Sequence, residues 1–161
     1  MKKFAFQSIL LLIAIAAGFF LFRSGERLSN LPFVPQAPVY KQLLIASTKL
    51  KVEIADTQSK RSKGLGGRQS LATEAGMLFI FDNTGKHPFW MKGLTFPLDF
   101  VWIKGDKVVD ISPNVAPPTP GQQDASLPIY QSKEDVDKVL EINAGTIQGL
   151  DIKVGDIIKI E

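Results

Sequence analysis

The stretch KLKVEI, residues 49–54, alternates without interruption between polar and apolar side chains. On an extended chain Leu50, Val52 and Ile54 lie on one side, and two lysines and a glutamate lie on the other. A period of two residues predicts a β-strand with one face in the core and one face in water. A mainly β domain is therefore the first hypothesis for the fold.

A short helix and a buried strand are predicted next along the chain. Asp56 and Thr57 offer an N-cap and Gly64 a C-terminal stop for a polar helix over residues 58–63. Residues 77–81 are entirely apolar and are followed by the turn-forming residues DNTG. This pattern is typical of a central strand that is buried on both faces.

Further short apolar runs, separated by Gly, Pro and Asp, continue to the end of the chain. They predict strands over residues 89–92, 98–103, 107–111, 139–142, 152–154 and 157–160. Residues 112–127 are rich in proline and are expected to form an exposed loop. Many short strands with one or two short helices predict a small β-sandwich or barrel-like domain over residues 39–161.

Residues 1–22 form a hydrophobic N-terminal segment. Residues 4–22 are interrupted only by Gln7 and Ser8, and at ~1.5 Å per residue their length as a helix is close to the ~30 Å of a bilayer core. They predict a single transmembrane helix, with the membrane as a partner. Small residues lie inside the apolar run and not after it, which favours an uncleaved anchor. The alternative is a cleaved signal peptide, which would make the domain a secreted one.

The flanks of this segment predict where the domain is located. Two lysines precede the segment, which favours a cytoplasmic N-terminus and an extracytoplasmic domain. Residues 23–38 contain three prolines spaced three residues apart, which predicts an extended linker between membrane and domain.

Charge and composition exclude several classes of function. The net charge is +3, but residues 1–38 contain four of the 19 basic and one of the 16 acidic residues, which leaves 15 of each for residues 39–161. A neutral domain gives no support to nucleic-acid binding. The chain has no cysteine and one histidine, His87, so we expect no disulfide, no thiol chemistry, no metal site and no cofactor.

The densest group of unusual residues is HPFWMKGLTFPLD, residues 87–99. On an extended chain Trp90 and Lys92 share one face, and Asp99 follows a few residues later. A flat apolar side chain with both signs of charge nearby predicts a small-molecule pocket. The alternative is that Trp90 is a core residue, Lys92 reaches the edge of the fold and Asp99 pairs with a cation.

Two charged residues outside this stretch are further candidates. Arg68 follows the glycine-rich turn of residues 64–67 and could bind a carboxylate or phosphate, or pair inside the protein. Glu141 lies in an apolar strand, where burial would raise its pKa, whereas an edge position would leave its carboxylate in water. No catalytic residue is assigned. The candidate ligand-binding residues are Arg68, Trp90, Lys92, Asp99 and Glu141.

An ordered set of short motifs runs through residues 49–160. The motifs are VEIADT at 52–57, Arg61, Gly64-Leu65 with Arg68, GMLFIF at 76–81, FWMK at 89–92, PLD at 97–99, and VLEI at 139–142 with Ala144-Gly145. Together they resemble the domain of unknown function 192 family. The resemblance implies a bacterial or archaeal protein, often with an N-terminal signal or anchor, and a small β-sandwich-like fold. It implies no activity.

The sequence departs from the family pattern at two glycines and in one loop. The family usually has methionine where Gly66 stands and asparagine where Gly93 stands. Some relatives carry cysteines in the proline-rich loop, and this chain has none. A metal or redox role of those relatives therefore does not extend to this chain.

Three functions remain open at this point. The first is a membrane-tethered extracytoplasmic domain that binds a small polar ligand or a cell-envelope component, which the absence of a nucleophile–base pair favours. The second is a hydrolase or lyase that uses Asp99 or Glu141 with Lys92. The third is a structural or protein-interaction domain whose motif residues fill the core and form ion pairs.

Overall fold

A computed structural model describes residues 37–161 of the chain. The membrane segment predicted for residues 1–22, and nearly all of the linker predicted for residues 23–38, lie outside the described residues. Within residues 37–161, no helix is both long enough and apolar enough to cross a bilayer.

The described part of the chain consists mainly of β-strands, which confirms the predicted class. The strands are β1 Tyr40–Ile45, β2 Thr48–Ala55, β3 Ala75–Gly85, β4 Leu98–Lys104, β5 Lys107–Val115, β6 Val136–Asn143 and β7 Lys159–Ile160. The helices are α1 Gln58–Lys63 and α2 Thr146–Gly149, and a single turn of 3-10 helix covers Asp124–Ser126.

All seven strands belong to one sheet, in the order β5-β4-β6-β3-β2-β1-β7. Neighbouring strands are antiparallel except β2 and β3, which are parallel because α1 and the residues after it carry the chain back along the sheet. The sheet is curled into a half-barrel. The barrel-like form of the prediction is therefore closer to the structure than a sandwich of two sheets.

Backbone hydrogen bonds connect the two edges of the curled sheet. Lys107 at the start of β5 forms an isolated bridge with Ile157, just before β7. The N–H of Val108 donates to the carbonyl of Asp156 at 2.8 Å. An edge strand that is paired in this way has fewer free backbone groups, which protects it from pairing with another chain.

Each face of the sheet carries its own apolar cluster. The aliphatic cluster comprises Leu43, Ile45, Leu50, Val52, Ile54, Leu78, Val101, Ile103, Val108, Leu140, Ile142, Ile147, Ile152 and Ile158. The aromatic cluster comprises Ala55, Leu65, Met77, Phe79, Phe89, Met91, Leu94, Leu98, Phe100, Trp102, Val115, Val136 and Val139. Side chains of a strand alternate between the two faces, so β4 sends Phe100 into one cluster and Val101 into the other.

The elements with strong local signals form as predicted. Strand β2 contains the alternating residues 49–54, and α1 occupies the predicted residues 58–63. The hydroxyl of Thr57 accepts a hydrogen bond from the N–H of Lys60 at 3.3 Å and so caps the helix. Gly64 ends the helix with a φ of +49°, a conformation that favours glycine.

Other predicted elements differ in the structure. Residues 89–92 form only an isolated bridge at Phe89, because the segment crosses the aromatic face and inserts Phe89 and Met91 into the aromatic cluster. Residues 152–154 form no strand, and only two of residues 157–160 do, because the turn at Gly155 directs the chain to β5. The expected turn after residue 81 is instead an irregular continuation of β3.

Candidate functional site

A pocket of about 740 Å³ opens on the face of the sheet that carries the aromatic cluster. Strand β3, helix α1 with the turn after it, and the segment around residues 88–94 form its walls. Its floor is buried and its rim is exposed. The apolar lining residues are Leu65, Phe79, Phe81, Pro88, Phe89, Trp90, Leu94 and Ile129.

Glu141 contributes the acidic group of this pocket. It is 3% exposed and lies on β6 between Met77 of β3 and Phe100 of β4. No hydrogen bond from residues 37–161 reaches its carboxyl group, which borders the space of the pocket. Burial raises the pKa of Glu141 to about 8, although the positive charge of Arg68 lowers it in part. At neutral pH this group is therefore a carboxylic acid whose O–H can donate a hydrogen bond.

Trp90 and Lys92 lie together at the rim. The ammonium nitrogen of Lys92 is 5.2 Å from the centre of the Trp90 ring, a cation–π distance. The same nitrogen is 2.6 Å from the carboxylate of Asp124 in the proline-rich loop. Both partners of this ion pair are about half exposed, so the pair contributes only ~0–1 kcal/mol and Lys92 can exchange partners at low cost.

Helix α1 presents a second cation to the pocket. Nη1 of Arg61 donates to the carbonyl oxygens of Asp56 and Ile80, both at 2.8 Å. Its guanidinium carbon lies 5.2 Å from the centre of the Phe81 ring. These contacts hold the guanidinium in place. The exposed Lys63, at the end of the same helix, also lines the pocket.

Arg68 is near Glu141 but does not line the pocket. Nη2 of Arg68 donates to Oε2 of Glu53 at 2.6 Å in a partly buried ion pair. Glu53 and Glu141 lie on either side of Met77 in the sheet. Arg68 therefore acts on the site through its charge, which favours the ionised form of Glu141, and not through a contact at the pocket surface.

Asp99 has a different role from the one its motif suggests. It is fully buried, and it pairs with backbone amides and not with a cation. Its Oδ1 accepts from the N–H of Asn114 at 2.7 Å, and its Oδ2 accepts from the N–H of Ile147 at 2.8 Å. These bonds tie the end of β5 and the first turn of α2 to β4.

The structure thus brings together three of the five predicted site residues. Trp90, Lys92 and Glu141 line one pocket, whereas Arg68 and Asp99 do not. Sequence reasoning missed Arg61, Lys63 and the phenylalanines of β3. The position of Arg61 four residues after the N-cap Thr57 was one available signal, because that spacing places it one turn further along the helix.

Other groups near the site are accounted for within the described chain. The ring of His87 stacks on Phe81 at 3.6 Å. Among residues 37–161, no three side chains of His, Cys, Asp or Glu are grouped so that they could hold a metal ion. Gly66 and Gly93, at which the family resemblance predicts methionine and asparagine, both line the pocket. Gly93 also lines a second pocket of about 590 Å³ beside the proline-rich loop.

Two solved structures are similar to this chain. One is a candidate transcription regulator from Sinorhizobium meliloti 1021, with 34% identity, a TM-score of 0.67, and coverage of 79% of this chain and 96% of that chain. The other is a protein of unknown function from Novosphingobium aromaticivorans DSM 12444, with 28% identity, a TM-score of 0.65, and coverage of 80% of this chain and 89% of that chain. No curated protein matches the chain.

The family comparison agrees with these structural likenesses. The sequence profile of the DUF192 family, described as Uncharacterized ACR, matches residues 42–160. This range is most of the chain and includes the pocket-lining elements. The chain therefore belongs to the DUF192 family.

Proposed function

We propose that this domain binds a small molecule or cell-envelope component that has a flat apolar part and at least one polar group. The pocket above the aromatic cluster is its binding site. In this proposal residues 4–22 hold the domain at the extracytoplasmic side of a bacterial membrane, where such a ligand would be met.

The carboxyl group of Glu141 is the observation that carries the proposal. No group among residues 37–161 hydrogen-bonds to this carboxyl group, and its oxygens are open to the pocket and not sealed inside the protein. A ligand in the pocket can therefore accept a hydrogen bond from that group. An unpaired acid between Met77 and Phe100 therefore supports a ligand that supplies the missing partner.

The apolar rim supports the flat part of the ligand. Trp90 is 46% exposed and Ile129 is 58% exposed, and both line the pocket. Burying two such side chains against a ligand is favourable, because each Å² of apolar surface removed from water contributes about 25 cal/mol. Phe79 and Phe89 continue the same apolar wall towards the floor.

Binding without turnover is favoured over hydrolysis. The hydrolase hypothesis used Asp99 or Glu141 as the acid or base, and both oxygens of Asp99 already accept backbone hydrogen bonds. Glu141 and Lys92 remain on the pocket, without a nucleophile–base pair among its lining residues.

The test uses the two tryptophans as paired reporters. The full-length chain is labelled with 5-fluorotryptophan, placed in phospholipid nanodiscs and titrated with 2-naphthoate, a flat molecule with one polar group. We expect the ¹⁹F signal of Trp90 to shift saturably while that of Trp102, which is fully buried in the core, stays in place. The variant Trp90→Phe assigns the two signals.

Two isoleucines provide matched variants for this titration. Ile129 lines the pocket, and Ile157 is 57% exposed but lies outside it. We expect Ile129→Ser to weaken 2-naphthoate binding several-fold and Ile157→Ser to leave it unchanged. Equal affinities in both variants, or no saturable shift of the Trp90 signal, would contradict the proposed function.

A further inference from the structure

We propose that the pocket takes an organic anion that also carries a neutral hydrogen-bond acceptor. The anionic group lies at the rim among Arg61, Lys63 and Lys92, and the neutral acceptor receives the O–H of Glu141 at the floor. This inference rests on the proposed function and names the chemical class of its ligand.

The charges at the rim select an anion. Arg61, Lys63 and Lys92 line the pocket, and Glu141 is the acidic residue among its lining side chains. Within residues 37–161, Lys63 forms no ion pair or side-chain hydrogen bond that would occupy its ammonium group. The pairing of Lys92 with Asp124 is exposed and therefore weak. The rim thus favours a negative ligand and disfavours a cationic one.

The floor of the pocket favours a neutral group. Leu65, Phe79 and Glu141 are each nearly inaccessible to solvent there. A charged ligand group at this depth would lose its hydration without a countercharge, which is costly. A ketone, ester or amide oxygen loses less on dehydration, and it can accept the proton of the Glu141 carboxyl group. The anionic group is therefore placed at the rim and the neutral oxygen at the floor.

The burial of Glu141 supports its role as a donor. Its raised pKa of about 8 keeps the O–H in place at neutral pH. Several titratable groups lie on this face. Arg68 acts on Glu141 through its charge, and Glu53, which pairs with Arg68, lies beyond Met77 in the sheet. Arg61, Lys63 and Lys92 line the same pocket, whereas the direct neighbours on the adjacent strands, Met77 and Phe100, cannot ionise. Above about pH 8 the group becomes a carboxylate, which cannot donate and repels an acceptor oxygen.

Three probes of similar shape separate the two parts of this inference. The first, 6-acetyl-2-naphthoate, has the anion and the neutral acceptor. The second, 6-isopropyl-2-naphthoate, lacks the acceptor. The third, 6-acetyl-2-naphthylmethanol, lacks the anion. Each is titrated into the full-length 5-fluorotryptophan protein in nanodiscs at pH 6.5. We expect the first to bind about tenfold more tightly than either of the others, a factor that one hydrogen bond or ion pair can supply.

Substitutions at Glu141 test whether its hydrogen-bond donor causes the preference for a ligand with a neutral acceptor. Glu141→Gln keeps the shape and an N–H donor, so we expect it to retain the preference for the acetyl over the isopropyl acid. Glu141→Leu removes the donor, and we expect the preference to vanish. Raising the pH above 8 should abolish the preference for the acetyl acid in the wild type and leave that preference unchanged in Glu141→Gln. The Trp102 signal reports whether each variant is folded.

Substitutions of lysines test whether the positive charge at the rim causes the preference for an anionic ligand. Lys63→Gln should weaken both acids alike and leave the alcohol unaffected. Lys41 is an exposed lysine of β1 outside the pocket, so Lys41→Gln should change the affinity for neither the acids nor the alcohol. An alcohol that binds as tightly as the acetyl acid would overturn the anion part of the inference.

The remaining outcomes distinguish this inference from the function on which it rests. If all three probes shift the Trp90 signal but Glu141→Leu and high pH leave their ratios unchanged, the inference is overturned and the proposed function stands. If no probe moves the Trp90 signal up to its solubility limit, both are overturned.

Discussion

Glu141 and Asp99 are both buried carboxyl groups, yet their surroundings give them opposite properties. Asp99 accepts two short backbone hydrogen bonds, one on each of its carboxyl oxygens. Glu141 has no such donors within the described chain, and burial alone favours its neutral form. One residue therefore holds the fold together, and the other is available to a ligand.

The raised pKa of Glu141 makes stability depend on pH. Between pH 4.5, the ordinary pKa of this group, and about pH 8, the folded protein retains a proton that the unfolded chain has released. The contribution of protonated Glu141 to the free energy of unfolding is thus present in full below pH 4.5. As pH rises towards 8 it is lost, by about 1 kcal/mol per pH unit. Glu141→Gln should flatten this decline and be more stable than the wild type at pH 8.

Urea denaturation of wild type and Glu141→Gln at pH 5 and pH 8 measures this effect. The difference in the free energy of unfolding between the two proteins should grow towards pH 8. Parallel profiles across this range would show that Glu141 is already ionised in the folded protein.

Asp99→Asn is expected to destabilise the fold by roughly 1–3 kcal/mol. The amide keeps one acceptor but places an NH₂ group against the N–H of Asn114 or Ile147, so one donor faces another. The melting temperature should fall, whereas Asp135→Asn, at an exposed aspartate, should leave it nearly unchanged. A melting temperature of Asp99→Asn equal to that of the wild type would contradict this structural role.

At the scale of elements, the approach of β3 to β6 places Glu141 under the pocket. A Cβ atom on Gly76 of β3 would lie 2.9 Å from the backbone oxygen of Glu141 and 3.0 Å from Cγ2 of Ile142. Glycine is therefore required here for close packing of the two strands.

Gly76→Ala should accordingly push β6 away from β3 and lower the free energy of unfolding by about 1–3 kcal/mol. Gly85, in the same strand, is a matched control, because no atom lies within 4 Å of a Cβ built on it. Urea denaturation of the two alanine variants compares them. Equal stabilities would show that β6 can move at no cost.

At the scale of the whole molecule, membrane attachment is a prediction from residues 4–22. The full-length chain expressed in bacteria should remain in the membrane fraction after an alkaline wash, and protease added to spheroplasts should digest its domain. Leu11→Arg with Leu12→Arg should release it from the membrane, because each arginine costs about 3 kcal/mol at the centre of a spanning helix.

A control and a mass measurement complete this test. Leu11→Ile with Leu12→Ile keeps the hydrophobicity and should stay in the membrane. The intact mass of the wild-type protein distinguishes an anchor from a cleaved signal, because cleavage removes the leader. A full-length protein found in the soluble fraction would contradict attachment.

Sequence patterns predicted those parts of the structure whose causes are local. The alternation of residues 49–54, the cap at Thr57 and the stop at Gly64 each depend on neighbours within a few residues. Such signals are sufficient because strand period, capping and positive φ are properties of short stretches of chain. The apolar neighbours of Glu141 in the strand likewise predict the burial that raises its pKa.

Other features depend on contacts between residues that lie far apart in the sequence, and only the tertiary structure decides them. Residues 89–92 have the pattern of a strand, but packing of Phe89 and Met91 on the aromatic cluster removes them from the sheet. Asp99 finds its amide donors 15 and 48 residues away, and α1 brings Arg61 to the same pocket as Glu141, 80 positions later. The sequence by itself determined the class of fold and most of its local elements. The single curled sheet and the set of residues that line the pocket depend on contacts between residues far apart in the chain. Local sequence patterns do not encode such contacts.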